Sequence, residues 1–231
     1  TINKGIQTQV EDLAERWSNE FRRSDIRNLA ILVIDIPSNQ VVAYCGNVHF
    51  DQKQGGNQVD VIQVPRSTGS KLKPYLYFAV LQEGGLLPDM LLPDVPVNIN
   101  GFSFLQQIGL KTINRSSFHY GLSLILGGAE ATLWDVTNAY AMMGRSLLQL
   151  PQRSCSLLLP TSRITESTDP FQPGAVWQTF DALKEVNRPE EIDWKSIPSM
   201  QTIAWKTGTS YGFRDAWAVG VTPRYAVGVW V

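Results

Sequence analysis

The sequence is poor in the residues that build metal sites and disulfide frameworks. Its 231 residues include two cysteines, Cys45 and Cys155, and two histidines, His49 and His119. A structural or catalytic zinc ion takes three or four such ligands, so no metal or other cofactor is expected. Cys45 ends an apolar run and is predicted to be a buried free thiol. Neither histidine stands in a recognisable catalytic context, so nothing indicates a Ser-His-Asp triad.

An excess of charge and long apolar runs are also missing. With 20 Lys+Arg and 21 Asp+Glu the net charge is -1, which gives no argument for a nucleic-acid partner. No apolar run reaches the roughly 18 residues that a membrane helix needs, and no signal-peptide pattern opens the sequence. The length and the 43% hydrophobic content suit one domain over 1–231 with a substantial core.

Apolar periodicity predicts strands near both ends of the chain and helices between them. Three-to-four-residue spacing predicts helices, and alternating or continuous β-branched runs predict strands. The predicted helices are 5–23, 69–83, 104–110, 120–127, 132–148 and 174–186, and the predicted strands are 29–36, 41–44, 202–208, 215–222 and 225–231. Loops are predicted over 51–65 and 150–173. The pattern indicates one antiparallel sheet with a helical lobe.

Two short motifs suggest serine chemistry. Ser70 and Lys73 are spaced to share one face of a helix, and Lys206 begins the only Lys-Thr-Gly in the chain. A serine hydroxyl is a weak nucleophile until a base takes its proton, and a lysine near a second cation has a lowered pKa. Lys73 is therefore the candidate base and Lys206 the second cation. Lys71 leaves on another face and is predicted to be a surface charge.

Each motif also has a simpler interpretation. A Ser-x-x-Lys spacing occurs about once by chance in a chain of this size. Ser70 could be only a helix N-cap and Lys73 a solvated lysine. Residues 206–209 could be only a strand with an exposed lysine and a bulge glycine. The flanking residues decide between these interpretations.

Three flanking segments resemble the transpeptidase domain of class A penicillin-binding proteins, 1C type. They are 66–74 (RSTGSKLKP), 120–130 (YGLSLILGGAE) and 205–220 (WKTGTSYGFRDAWAVG). The resemblance implies the serine β-lactamase/transpeptidase fold, an α/β (α+β) architecture. It implies a peptidoglycan D,D-transpeptidase that cross-links stem peptides through an acyl-serine and is covalently inhibited by β-lactams. Expected partners are peptidoglycan stem peptides, β-lactam antibiotics and cell-wall synthesis proteins.

The resemblance also assigns roles to individual residues. Ser70 is the expected nucleophile, and the backbone N–H groups of Ser70 and Thr209 are the expected oxyanion hole. The hydroxyls of Thr207 and Thr209, together with Lys206, are expected to bind the substrate's terminal carboxylate. Gly208 is expected to let the substrate backbone approach closely.

The chain departs from the family in one respect: it contains no Ser-x-Asn, the family's second motif. Residues 94–102 and 103–110 look like family segments that normally lie several tens of residues apart. We therefore expect a stretch near 102–103 to be missing, and a second omission near 150–170 is possible. A protein mass near 25.8 kDa would instead mean a true deletion.

The resemblance places the protein at the inner membrane on its periplasmic face, with an anchor and a glycosyltransferase domain outside this fragment. Membrane contact is expected only through that anchor. Two alternatives remain. A D,D-carboxypeptidase or β-lactamase would use water as acceptor, although the Glu-x-x-Leu-Asn pattern of class A β-lactamases is absent. A non-catalytic module that binds β-lactams or muropeptides would account for the missing Ser-x-Asn.

Overall fold

The structure is a computed structural model, and it describes most of the chain. The described residues are 2–48, 59–85, 87, 90, 101–152, 169–185 and 202–231. Cys155, most of the predicted loops and residues 91–100, which precede the expected omission near 102–103, lie outside these ranges.

A five-stranded antiparallel sheet joins the two ends of the chain. Its strand order is β2-β1-β7-β6-β5. The strands are β1 (Ala30–Asp35), β2 (Gln40–Cys45), β5 (Ala204–Thr209), β6 (Ala216–Val221) and β7 (Tyr225–Trp230). Buried and less buried residues alternate along β2, β6 and β7, as expected for strands with two unlike faces. β1 pairs with β7 from Ala30↔Trp230 to Asp35↔Tyr225, which confirms the predicted sheet.

Six α-helices accompany the sheet within the described residues. They are α1 (Lys4–Phe21), α2 (Lys73–Gln82), α3 (Gly101–Gln107), α4 (Ser117–Tyr120), α5 (Leu133–Leu147) and α6 (Pro173–Lys184). A two-stranded ribbon, β3 (Arg66–Ser67) with β4 (Glu130–Ala131), was not predicted. Residues 120–127, predicted as one helix, form the end of α4 and a 3-10 helix over Gly121–Leu126.

Helix α1 packs on one face of the sheet. The Asn3 side chain caps its N-terminus by accepting a hydrogen bond from the Ile6 N–H at 3.1 Å. Val10 and Ala14 are buried and belong to a small cluster with Cys45. Cys45 is a buried free thiol, as predicted.

Helix α5 packs on the opposite face, in the main core. Thr132 caps α5 by accepting from the Asp135 N–H at 2.9 Å. A Cβ at Gly228 of β7 would overlap the Thr137 hydroxyl, so the glycine lets α5 approach the sheet closely. The buried Arg145 donates to the carbonyls of Ile36 and Pro37 at 2.6 and 2.8 Å, which fastens the end of α5 to the β1–β2 turn.

Candidate active site

The turn that carries Ser70 is a 3-10 helix over Gly69–Leu72, not the first turn of an α-helix. Helix α2 continues directly from it, and Pro74 lies in the first turn of α2. A backbone N–H in that turn would have no intrahelical acceptor, so the proline removes no helix hydrogen bond. Ser70 itself is half-buried. The sequence therefore located this element correctly but predicted the wrong type of helix for its first residues.

The helical lobe holds this turn from one side. The Thr68 N–H and hydroxyl both donate to the Ala129 carbonyl at 3.1 Å, and the Ser67 hydroxyl donates to the Gly127 carbonyl at 2.8 Å. Gly127 has a φ of 108°, and a Cβ there would lie 2.9 Å from the Gly69 Cα. Only glycine combines this backbone conformation with so close a contact.

Strand β5 holds the turn from the other side. Gly69 has a φ of 52°, and a Cβ there would lie 2.7 Å from the Thr209 nitrogen. The Trp217 indole N–H on β6 donates to the Ser67 carbonyl at 2.9 Å, which adds a second link between sheet and turn. These contacts bring the Ser70 turn and Thr209 of the edge strand β5 into the same site.

The prediction that Lys71 is a surface charge was wrong. Its side chain is fully buried, and its Nζ donates to the Lys206 carbonyl at 2.8 Å. A 3-10 helix has three residues per turn, so the side chain after Ser70 points about 120° away from it, here beneath β5. Burial and, secondly, the charge of Lys206 hold the pKa of Lys71 well below its ordinary value.

Gly208 makes room for that buried lysine. A Cβ at Gly208 would lie 2.7 Å from the Lys71 Cγ and 2.7 Å from the Thr68 carbonyl oxygen. The glycine is thus required by the protein's own packing, a reason that the sequence did not suggest. Its expected role in admitting a substrate backbone stays a prediction.

The two predicted site lysines are nearer the surface. Side chains three residues apart eclipse in 3-10 geometry, which puts Lys73 on the side of Ser70, where it is exposed. Lys206 is partly buried, and its Nζ donates to the Thr207 carbonyl at 2.6 Å. Burial and then the positive charge of Lys73 lower the pKa of Lys206. Three lysines, two of them predicted, therefore interact around the Ser70 turn.

Comparison with known proteins gives matches that cover the whole of this chain. The chain is 30% identical over 270 residues to penicillin-binding protein 1C of Escherichia coli, and 24% identical over 304 residues to penicillin-binding protein 1A of Rickettsia felis. Both alignments take in 100% of this chain but 34% and 37% of those proteins, so the chain spans about a third of their length. No family model matches the chain.

Solved structures agree in fold. The transpeptidase domain of penicillin-binding protein 3 from Burkholderia pseudomallei superposes with a TM-score of 0.74 at 15% identity, covering 100% of this chain and 86% of that one. Apo penicillin-binding protein 3 from Mycobacterium tuberculosis gives 0.72 at 17% identity, covering 100% and 72%. The chain belongs to the penicillin-binding protein family. It has the predicted serine β-lactamase/transpeptidase architecture.

This penicillin-binding domain is shorter than the region it matches. The alignment to the Escherichia coli protein is 270 residues long against 231 here, so that relative has residues that this domain lacks. The expected omission near 102–103 stays a prediction. Within the described ranges, no helix is both long and apolar enough to cross a membrane.

The sequence analysis missed the residues that hold the candidate site together. Lys71, Trp217 and Gly127 are all remote from one another in sequence. All three lie in segments that resembled the family, but the resemblance gave none of them a role. For Lys71 and Trp217, the contact is visible only once β5 and β6 are placed against the turn.

Proposed function

We propose that this penicillin-binding domain is a serine D,D-transpeptidase. The Ser70 Oγ attacks the penultimate D-Ala carbonyl carbon of a stem peptide, and the carbon–nitrogen bond to the terminal D-Ala breaks. D-Ala leaves as an amine after taking the proton from serine. The amine of a neighbouring stem then attacks the acyl-serine, forms the cross-link and returns a proton to Ser70.

The observation that carries this proposal is the contact between the Ser70 turn and β5. A Cβ on Gly69 would lie 2.7 Å from the Thr209 nitrogen, and this close approach supports an oxyanion hole made by the N–H groups of Ser70 and Thr209. Lys206, with Thr207 and Thr209 exposed on the same edge, is suited to bind the terminal carboxylate of the substrate.

Lys73 is the proposed base. Its backbone N–H donates to the Ser70 carbonyl across the 3-10 turn, which keeps it one turn from the nucleophile. In this scheme Lys73 accepts the serine proton and passes it to the leaving amine. β-Lactams would enter the same route and stay attached to Ser70, because their leaving amine remains tethered.

The partners and location follow from the proposal. The substrates are peptidoglycan stem peptides, and the inhibitors are β-lactams. The site of action is the periplasmic face of the inner membrane. Contact with other cell-wall synthesis proteins, and membrane contact through an anchor, are proposals of the same kind.

Intact-protein mass after incubation with penicillin tests the proposal. We expect a stoichiometric, long-lived adduct in the wild type, no adduct in Ser70→Ala, and an unchanged adduct in Ser24→Ala, an exposed serine on the 3-10 turn after α1. An adduct that persists in Ser70→Ala would refute Ser70 as the nucleophile. A folded wild type without any adduct would refute the acyl-serine mechanism.

A non-catalytic binding module is the second candidate, because the sequence contains no Ser-x-Asn. A donor thioester of a D-Ala-terminated peptide separates the two candidates. Release of free thiol over many turnovers, with transfer of the peptide acyl group to a D-amino-acid acceptor, supports the transpeptidase. Thiol release without acceptor transfer indicates a water-using carboxypeptidase, and a single turnover that stops at the acyl-protein indicates the binding module.

A further inference from the structure

Lys71 carries a fully buried amine that has no role in the proposed reaction. Its Nζ donates to the carbonyl of Lys206, 135 residues away, at 2.8 Å. Its backbone N–H donates to the Thr68 carbonyl at 3.1 Å, within the turn. Its Cγ occupies the space left by the absent side chain of Gly208. One side chain thus bridges the two elements that carry Ser70 and the Lys-Thr-Gly.

We propose that Lys71 is a positioning residue that fastens the Ser70 turn to β5 and so sets the gap between Ser70 and Thr209. This inference deepens the proposed function and rests on it. Lys71 touches no reacting atom. It acts through the Lys206 carbonyl and through the position of the turn.

The surroundings of Lys71 favour a neutral amine in this position. Among the residues that the structure describes, no carboxylate pairs with it. Lys206 on β5 is the charged group that faces it, and Lys73 on α2 faces Lys206 in turn. The 3-10 helix Gly121–Leu126, which packs on the other side of the turn, has no ionisable side chain.

A neutral amine serves this position better than an ammonium. An unpaired ammonium beneath β5 would be buried beside a second cation, which costs free energy. The neutral form still donates a hydrogen bond to the Lys206 carbonyl. It leaves Lys206 as the nearest cation for a substrate carboxylate.

The competing explanation is that Lys71 only fills space. Methionine has nearly the same length and fills the same space, but it donates no hydrogen bond and carries no proton. Lys71→Met therefore separates positioning from packing. Lys4→Met, the same change at an exposed position at the start of α1, is the matched control.

The first experiment measures acylation by a fluorescent penicillin at temperatures where circular dichroism shows each variant folded. We expect the acylation rate constant of Lys71→Met to fall by about 10-fold to 100-fold, the effect of a small misplacement of the nucleophile. The dissociation constant of the non-covalent complex should stay within about 2-fold, because Lys206 and Thr207 are intact. Lys4→Met should match the wild type. A wild-type rate in folded Lys71→Met overturns the inference.

The second experiment does not need acylation and so stands if the role of Ser70 fails. The pKa of Lys71 is lower in the folded chain than in the unfolded chain. The folded wild type therefore binds fewer protons, and its free energy of unfolding rises as pH increases from the folded pKa towards about 10.4. Lys71→Met lacks that rise, so its stability relative to wild type should fall with increasing pH.

Hydrogen exchange locates the effect. In Lys71→Met the backbone amides of 67–72 and 204–209 should exchange about 10-fold faster than in wild type, with α1 unchanged. If the pH dependence of stability and the exchange rates both equal those of the wild type, Lys71 is not a positioning residue, whatever Ser70 does. If Lys71→Met shows both the altered pH dependence of stability and the faster amide exchange, but penicillin does not acylate the wild type, only the proposed reaction is refuted.

Discussion

The Lys71 side chain fills the space that a side chain at position 208 would occupy. A Cβ on Gly208 would lie 2.7 Å from the Lys71 Cγ, closer than carbon atoms approach in folded proteins. The glycine of the Lys-Thr-Gly and the residue after the candidate nucleophile therefore depend on each other. Neither can change in size without moving the Ser70 turn relative to β5.

Gly208→Ala should displace the turn and weaken the fold. The new methyl group meets the Thr68 carbonyl as well as Lys71, so backbone must move, and we expect a loss of about 1–3 kcal/mol in the free energy of unfolding. Urea unfolding measures the loss, and penicillin acylation should slow in parallel. Gly174→Ala in α6, where a Cβ meets nothing within 4 Å, is the control and should change stability by no more than about 0.5 kcal/mol. Equal stabilities for the two variants would contradict the close packing.

Arg145→Met should destabilise the protein without a direct effect on the site. The guanidinium donates to the carbonyls of Ile36, Pro37 and Pro151, and methionine leaves these acceptors without that donor. We expect the free energy of unfolding to fall by about 2 kcal/mol or more. Arg23→Met removes a guanidinium whose side chain is 77% exposed and should cost no more than about 0.5 kcal/mol. A similar small effect at both positions would show that the buried hydrogen bonds add little.

Cys45 should react slowly while the protein is folded. Burial, and secondly the negative charge of Glu11, raise the pKa of the Cys45 thiol to about 11. At pH 8 the thiolate fraction of Cys45 in the folded chain is then about one in a thousand. In a Cys155→Ser variant, a disulfide reagent should therefore modify Cys45 about 100-fold more slowly in the folded chain than in the urea-unfolded chain. The rate should rise with pH up to the folded pKa. Equal rates in the two states at pH 8 would show that the thiol is accessible and unperturbed.

The sheet and the long helices could be predicted because their signals are local. Buried and less buried residues alternate along β6 and β7, and apolar residues recur every three to four positions in α1. Each of these patterns arises within one segment, from the face that the segment buries. The position of Lys71 could not be predicted in this way. Its orientation depends on whether the chain after Gly69 forms a 3-10 or an α turn, and contact with Gly69 comes from Thr209 and Gly127, far away in sequence.

The short ribbon and the role of Gly208 were missed for the same reason. β3 and β4 have two residues each, too few to show a period, and they exist because residues 66–67 and 130–131 are brought together by the core. The Ser70, Lys73 and Lys206 assignments came from two short motifs and from a resemblance. The structure places all three around one turn and adds Lys71, to which the resemblance gave no role.

Strand β1 lies between β2 and β7, so the first hairpin of the chain has an unpaired edge until residues 225–230 reach it. On a ribosome that interval is nearly the whole synthesis of the domain, at roughly 5–20 residues per second. During this time the β1 edge of the apolar hairpin is unpaired, and an unpaired edge can form strand hydrogen bonds with another chain. The sheet therefore cannot be completed until the end of the domain has been synthesised, which makes its closure a late event in folding.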